Sequence, residues 1–212
     1  MNAINLSKRM AMVASQIEKA DCVADVGCDH AYIAIYLIRY SIAKRVIATD
    51  INKGPLARAK DNVELYGCEN FVDLRLSDGL AKIEPGESDV ILISGMGGGL
   101  MTDILSAKKE CIYQASELVL QPQSEIEQVR RFLHKEGYEI VNEDMCFDEN
   151  KFYNVIRARN VGKNNVTYYN DRLEYKYGKL LLDKRHSVLS DFLKEEYRKA
   201  LIIEEQLRTS NT

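Results

Sequence analysis

The stretch "CVADVGCDHAYIA", residues 22–34, decides the fold because it joins a predicted strand to a predicted helix through a single glycine. Residues 22–27 are short, apolar and rich in branched side chains, as a buried strand is. Residues 30–40 are apolar almost all round, which is typical of a helix packed under a sheet. A strand that turns at a glycine into a helix offers a ligand the backbone amides of the helix N-terminus.

The alternation of strands and helices along the whole chain predicts an α/β fold. Predicted strands lie at 22–27, 45–50, 71–78, 88–99 and 117–122, and predicted helices lie at 5–19, 30–40, 54–67, 100–110 and 124–136. Two further strand-like runs, 138–148 and 151–160, follow so closely on each other that they predict an antiparallel hairpin. We therefore predict a doubly wound, mostly parallel sheet with helices on both faces and an antiparallel hairpin at its C-terminal end.

The character of the chain changes at residue 161. The segment "VGKNNVTYYN", residues 161–170, is polar and resembles a linker. Beyond it, apolar residues at helical spacing lie on both sides of "DKRHS", residues 183–187. This pattern predicts one domain over residues 1–160 and an antiparallel, coiled-coil hairpin of helices over 161–212.

Composition excludes several classes of protein. Of the 212 residues 46% are hydrophobic, enough for a core, and the N-terminal segment predicts an amphipathic helix rather than a signal peptide. The chain lacks an apolar run long enough to cross a membrane. Its five cysteines form no CxxC pair, so we expect neither disulfides nor a metal site, and a cytoplasmic location. The net charge of −3 is unevenly spread, since residues 161–212 hold 10 basic against 8 acidic residues.

The loop after the first predicted strand favours a cationic ligand over a diphosphate. Dinucleotide-binding loops carry G-x-G-x-x-G, which lets pyrophosphate reach the backbone. Here only Gly27 remains, and Asp29 occupies the place of the second glycine, where a carboxylate repels phosphate. S-adenosylmethionine carries a sulfonium and an ammonium and no phosphate. We therefore expect Asp25, Asp29 or both to face its cationic amino-acid end, and the loop amides of Gly27 and its neighbours to face its carboxylate. Alternatively, Asp29 or His30 could simply cap the following helix.

Polar residues and glycines also end the next strands, which in a parallel sheet brings them to the same edge. Asp50 suits a pair of ribose hydroxyls, Asp78 suits an adenine amino group, and the glycines of "ISGMGGG" at 93–99 allow close approach of a ligand. After "LQPQ", residues 120–123, either Gln121 or Gln123 could bind a base edge or cap a helix.

In combination, "DVGCDHAYI", "ATDIN", "ISGMGGG", "LQPQ" and "YGKLLLDKRHS" resemble the bacterial tRNA (adenine-22-N1)-methyltransferase family over essentially the whole chain. The resemblance implies a Rossmann-like methyltransferase fold and methyl transfer from S-adenosylmethionine to N1 of an adenine in the D-arm of tRNA. It also implies that the C-terminal helices help to hold the tRNA.

This interpretation assigns roles to named residues. Asp29 is the first candidate for stabilising the cationic product and His30 the second, although either could bind the cofactor only. The expected cofactor-binding residues are Asp25, Gly27, Cys28, Asp29, His30, Asp50, Ile51, Asn52, Ser77, Asp78, Gly79, Ser94, Gly95, Met96 and Gly97. The expected substrate-binding residues are Lys8, Arg9, Gly98, Gln121, Arg157, Arg159, Lys184 and Arg185.

Three alternatives stay open at the level of sequence. The first is a methyltransferase that acts on a small molecule or a protein. The second is a nicotinamide-dependent oxidoreductase, which the missing glycines and Asp29 disfavour. The third is a non-catalytic helical module, whose leucine and tyrosine faces over 171–207 could pair with a second chain. For the enzyme we expect a monomer or a weak dimer.

Overall fold

A computed structural model describes residues 4–210, and its centre is a seven-stranded sheet of order β3-β2-β1-β4-β5-β7-β6. The strands are β1 (Ala20–Val26), β2 (Ala43–Asp50), β3 (Val72–Leu76), β4 (Val90–Met96), β5 (Glu117–Pro122), β6 (Tyr138–Asp148) and β7 (Lys151–Asn160). The helices between them are α1 (Lys8–Ala14), α2 (Tyr32–Arg39), α3 (Lys53–Leu65), α4 (Gly98–Ala107), α5 (Lys109–Gln114) and α6 (Ile126–Glu136). The predicted α/β sheet is confirmed.

The strand order creates a crevice beside the first strand. β1 pairs in parallel with β2 on one side and with β4 on the other, so the chain changes direction across the sheet between these two neighbours. Ligands of open parallel sheets bind at the carboxyl ends of the strands at such a reversal. The predicted hairpin is β6 and β7, and β7 pairs antiparallel with β5 as well.

The sheet is apolar because both of its faces are covered. In β1, Val23 packs into a core with residues of α1, α2 and α3, and the adjacent Ala24 packs into a second core with residues of α4, α5 and α6. Successive side chains of a strand point to opposite faces, so a strand covered on both sides needs an unbroken apolar run. This is the physical reason for the apolar residues at 22–24 and 26, and Asp25 is the exception within the strand.

Two predicted helices differ from the structure by more than two residues at an end. The predicted helix 5–19 is only α1, because Ser7 caps its start, accepting a hydrogen bond from the Met10 amide at 3.2 Å, and the helix ends at Ala14. The predicted helix 100–110 is two helices, α4 and α5, separated at Lys108, whose φ of −138° and ψ of 65° are not helical. Helical periodicity does not reveal such breaks, since the apolar spacing continues across them.

The C-terminal segment contains α7 (Arg172–Tyr177), α8 (Lys179–Asp183) and α9 (Ser187–Ser210), after a short 3-10 turn at Lys163–Asn165. Gly178, at φ +91°, separates α7 from α8, so the first predicted helix of the hairpin is interrupted. Leu181 of α8 and Leu189 of α9 share a small apolar cluster with Met145 of β6. The distal apolar side chains of α9 are exposed, among them Tyr197, Leu201, Ile203 and Leu207. The boundary at residue 161 stays a prediction.

Within the described residues, no helix is both long enough and apolar enough to cross a membrane.

Candidate functional site

A crevice of about 460 Å³ opens at the carboxyl ends of β1, β2, β3 and β4. It is lined by Arg9, Met10, Asp25, Val26, Gly27, Cys28, Asp29, Ile33, Asp50, Ile51, Asn52, Pro55, Ser77, Asp78, Gly79, Ser94, Gly95, Met96, Leu100, Ile104 and Gln123. Thirteen of the fifteen predicted cofactor-binding residues are in this set, with only His30 and Gly97 outside it. A larger cavity, about 650 Å³, lies at the amino ends of β1, β4 and β5 and is walled by ion-paired residues. The 460 Å³ crevice is the better candidate for the functional site, because ligands of open parallel sheets bind where the strand order reverses.

The loop after β1 is tightly wound. Gly27 lies at φ +75°, and Asp29 and Ala31 also have positive φ, at 52° and 59°. The amides of Gly27 and Cys28 both donate to the Thr49 carbonyl oxygen, at 2.8 and 2.9 Å, so they are not available to a ligand carboxylate as the sequence suggested. Within residues 4–210 the amides of Asp29 and His30 form no hydrogen bond. Of the amides in the loop after β1, those of Asp29 and His30 therefore remain available to a ligand.

Asp25 is the most buried acid of the crevice, with 3% of its surface exposed. Burial raises the pKa of its carboxyl to about 7, and the neighbouring carboxylate of Asp50 adds to the rise. Asp50 ends β2, and its Oδ1 accepts a hydrogen bond from the Asn52 amide at 2.7 Å. A cation that enters between these carboxylates relieves their repulsion, whereas a diphosphate increases it.

At the end of β3, the crevice is lined by a serine whose hydroxyl already has hydrogen-bond partners and by apolar side chains. The Ser77 hydroxyl donates to the Gly79 carbonyl oxygen at 3.0 Å and accepts from the Lys82 amide, so it shapes the loop. Ile104 lies so close to Gly79 that a Cβ there would be 2.8 Å from its Cγ2. Sequence reasoning missed the apolar lining residues, namely Met10, Val26, Ile33, Pro55, Leu100 and Ile104. Whether on a helix or at a strand end, an apolar side chain carries no sequence signal that separates a ligand wall from the core.

Three predicted site residues next to the loops that follow β1 and β4 lie outside the crevice lining: His30, Gly97 and Gly98. His30 follows the loop, with its Nε2 3.5 Å from Asp29 Oδ1. Gly98 is buried, and a Cβ there would come within 2.6 Å of the Ser124 carbonyl oxygen and 2.9 Å of that of Glu125. Gly98 is therefore a packing position between α4 and the start of α6 rather than a substrate contact. Gly97 precedes it as the N-cap residue of α4.

One wall of the crevice is formed by Arg9 of α1. Its Nη1 donates to Gln121 Oε1 at 3.0 Å, and its backbone amide donates to Asp148 Oδ2 at 2.9 Å. Gln121 Oε1 also accepts from the Gly95 amide at 3.1 Å. Gln121 is fully buried and lies outside the crevice lining, so it holds Arg9 and Gly95 in place. Its predicted role as a substrate contact is therefore wrong. Gln123 lines the crevice instead.

The structure does not bring all the predicted tRNA-binding cations to the crevice. Arg157 and Arg159 lie at the opposite edge of the sheet, and both donate to Glu117. Their predicted role at the pocket is not supported by this position. Lys184 and Arg185 lie between α8 and α9, where Lys184 Nζ donates to Asn142 Oδ1 at 2.7 Å. Lys8 is exposed next to Arg9 on α1, with its Nζ 3.2 Å from the Phe147 carbonyl oxygen.

The residues present fit S-adenosylmethionine. Asp25 and Asp29 offer carboxylates to the cationic end, Asp50 offers acceptors to a ribose, and the apolar walls can sandwich a base. The residues do not fit a nicotinamide dinucleotide, because a pyrophosphate would meet carboxylates where it needs free amides. In the described part of the chain, no three His, Cys, Asp or Glu side chains are grouped as a metal site requires.

Comparisons with known proteins agree with this chemistry. Residues 6–156 match the Methyltransferase domain family. The Bacillus subtilis protein "tRNA (adenine(22)-N(1))-methyltransferase" is 39% identical over 158 residues, which are 74% of this chain and 66%, just under two thirds, of that protein. The crystal structure of the B. subtilis m1A22 tRNA methyltransferase TrmK superposes with a TM-score of 0.85 at 32% identity, over 96% of this chain and 88% of that one.

A further solved structure contains the expected ligand. A Streptococcus pneumoniae protein in complex with S-adenosyl-L-methionine superposes with a TM-score of 0.87 at 30% identity, over 96% of this chain and 94% of that one. The crevice geometry and these matches lead to one conclusion: the chain belongs to the tRNA (adenine(22)-N(1))-methyltransferase family.

Proposed function

We infer that this protein transfers a methyl group from S-adenosylmethionine to N1 of the adenine at position 22 of tRNA. The observation that carries the proposal is the acidic crevice at the β1/β4 reversal, in a chain of this family. The carboxylates of Asp25, Asp29 and Asp50 all line it, which suits a cationic methyl donor. The alternative of a small-molecule or protein substrate has no feature of the crevice that favours it.

The reaction needs alignment more than proton transfer. Bound S-adenosylmethionine supplies an electrophilic methyl group on a positive sulfur. Adenine N1 carries a lone pair in the plane of the ring, and this pair forms the new N–C bond while the electrons of the S–C bond return to sulfur. The sulfur product is neutral and the methylated adenine carries the positive charge, so no base is required before attack. The protein's task is to hold the three atoms in line.

Asp29 is the residue that best fits the charge developed on the base. It lines the crevice, and its side chain is 67% exposed. A carboxylate there stabilises the cationic product. His30 lies beside it, outside the lining, and remains the second candidate. If Asp29 instead binds only the cofactor, its removal changes cofactor affinity and leaves turnover of the saturated enzyme intact.

The substrate must be held by its backbone, and the target base must leave its stack, because N1 lies on the Watson–Crick edge. Lys8 and Arg9 beside the crevice, together with Lys184 and Arg185 beyond it, are the proposed phosphate contacts. Such contacts make tRNA binding fall steeply with added salt. A cytoplasmic location, and a monomer or weak dimer, stay predictions.

The decisive experiment combines unmodified tRNA transcript with S-adenosylmethionine carrying a labelled methyl group, followed by nucleoside analysis. We expect label in 1-methyladenosine, and none when A22 of the transcript is replaced by guanine. Label in another nucleoside, or label that survives the A22 replacement, would overturn the assignment. A cofactor-binding measurement on the same preparation shows whether an inactive sample still has a functional crevice.

A further inference from the structure

Near the end of β4, part of the crevice surface is formed by the backbone of a glycine, Gly95. Gly95, at φ +79°, is exposed near the end of β4. A Cβ at Gly95 would lie 3.7 Å from Arg9 Nη1 and 3.8 Å from Gln123 Nε2. Two polar side chains from α1 and from the loop after β5 therefore flank a backbone surface that a flat ring can approach closely.

The two flanking side chains differ in what they can still bind. Arg9 is held by Gln121 and offers only N–H donors. Gln123 is anchored through its backbone, whose amide donates to the Met96 carbonyl oxygen at 2.9 Å. Within residues 4–210 the side-chain amide of Gln123 forms no hydrogen bond, and it lines the crevice. It is thus a fixed residue whose donor and acceptor are both available.

The chemistry of the proposed reaction selects the edge of adenine that the protein can read. N1 must face the methyl group, so the Watson–Crick edge cannot be fully occupied by protein. The remaining edge that carries both a donor and an acceptor is formed by the N6 amino group and N7. A glutamine amide matches this pair, with Nε2 donating to N7 and Oε1 accepting from N6. Guanine presents two acceptors, O6 and N7, on the same edge, and an arginine presents no acceptor for N6.

We propose that Gln123 determines specificity by binding the N6/N7 edge of the target adenine over Gly95, leaving N1 free for methyl transfer. This inference rests on the proposed function, because it takes adenine as the acceptor. It also gives the two glutamines different roles. Gln121 is buried and accepts hydrogen bonds from Arg9 and Gly95, whereas Gln123 lines the crevice and would contact the substrate.

The test is a double-mutant cycle between the protein and the base. Wild-type enzyme and Gln123→Leu are assayed on tRNA transcripts with adenine or 7-deazaadenine at position 22. The deaza base replaces N7 with C–H and keeps N1 and N6. For the wild type we expect kcat/KM to fall roughly 5- to 100-fold on the deaza substrate, as for loss of a base-edge contact. Gln123→Leu should lose a similar factor on adenine and little more on 7-deazaadenine.

Two controls make the outcome unambiguous. Gln128→Leu changes an exposed glutamine on α6 outside the crevice and should behave as wild type on both substrates. The affinity of Gln123→Leu for S-adenosylmethionine should equal that of wild type, which shows that the fold and the cofactor site are intact. Independent, multiplying losses from the two changes, or no loss from either, would overturn the role of Gln123. If the wild type does not methylate A22 at all, the proposed function itself fails, and the two failures are distinguishable.

Discussion

Arg130 of α6 and Glu143 of β6 form an ion pair with no exposed surface on either side chain, with Nε and Oε1 2.7 Å apart. The same guanidinium donates through Nη1 to the carbonyl oxygens of Tyr175 and Lys176 in α7, at 2.7 and 3.0 Å. A Cβ at Gly178 would lie 2.8 Å from Arg130 Nη2 and from both carboxylate oxygens of Glu143. The glycine that interrupts the C-terminal helices thus lets them dock on a buried charge.

Removing the charge of one partner of this buried ion pair should destabilise the fold. Glu143→Gln leaves the Arg130 cation buried without a counter-charge, which we expect to lower the free energy of unfolding by roughly 3 kcal/mol. Chemical denaturation of the wild type and the variant measures this difference in the free energy of unfolding. Glu127→Gln is the matched control, because Glu127 pairs with Arg131 on the surface of α6 and should change the free energy by less than about 1 kcal/mol. Equal effects would contradict a special role for the buried pair.

The raised pKa of Asp25 predicts that cofactor affinity depends on pH. Burial keeps the Asp25 carboxyl protonated and neutral below a pKa of about 7, so below that pH it does not attract a cation. Between pH 5.5 and 7.0 the amino group of S-adenosylmethionine stays largely protonated, and affinity should rise roughly tenfold as Asp25 ionises.

Calorimetric titration across that pH range tests the assignment. Asp25→Asn should flatten the dependence, whereas Asp78→Asn, which changes another acid of the same crevice, should retain it. A wild-type affinity that does not change with pH would exclude Asp25 as the group that titrates on binding.

Substitution of Asp29 separates its two candidate roles. Asn is the better replacement than Ala, because Asp29 lies at φ +52° and Asn tolerates left-handed backbone. If the carboxylate stabilises the cationic product, Asp29→Asn should lower kcat by roughly 10- to 100-fold, at unchanged affinity for S-adenosylmethionine. Single-turnover assays with saturating cofactor measure this. Weaker cofactor binding with normal turnover would assign Asp29 to the cofactor alone.

The contrast between Gly98 and Gly99 tests the packing of α4 against the start of α6. Gly98→Ala should lower the free energy of unfolding by about 1–3 kcal/mol, because its Cβ would press on backbone oxygens that cannot move aside. Gly99→Ala is the control, since its Cβ would meet only the end of the Glu125 side chain, at 3.1 Å. Thermal unfolding without ligand should show a clear difference, and similar melting temperatures would contradict the packing role.

The sequence by itself determined the strand–helix alternation, the antiparallel hairpin and most of the polar and glycine residues that line the crevice. These features are local: strand ends such as Asp50 and Ser94 follow apolar runs directly, and parallel strands bring all their carboxyl ends to one edge whatever the details of packing. Helical periodicity did not locate the breaks at Lys108 and Gly178, because the apolar spacing continues through them.

Only the tertiary structure decided which polar side chains have hydrogen-bond partners within the protein and which are available to a ligand. Gln121 and Gln123 are two residues apart and chemically identical, yet one is buried against Arg9 and Gly95 while the other faces the crevice. Arg157 and Arg9 are both cations in elements that touch β5 or its neighbours, but they lie at opposite edges of the sheet. Hydrogen-bond partners that are distant in sequence settle these questions, and no local pattern encodes a partner more than a hundred residues away, as Arg9 and Gln121 are.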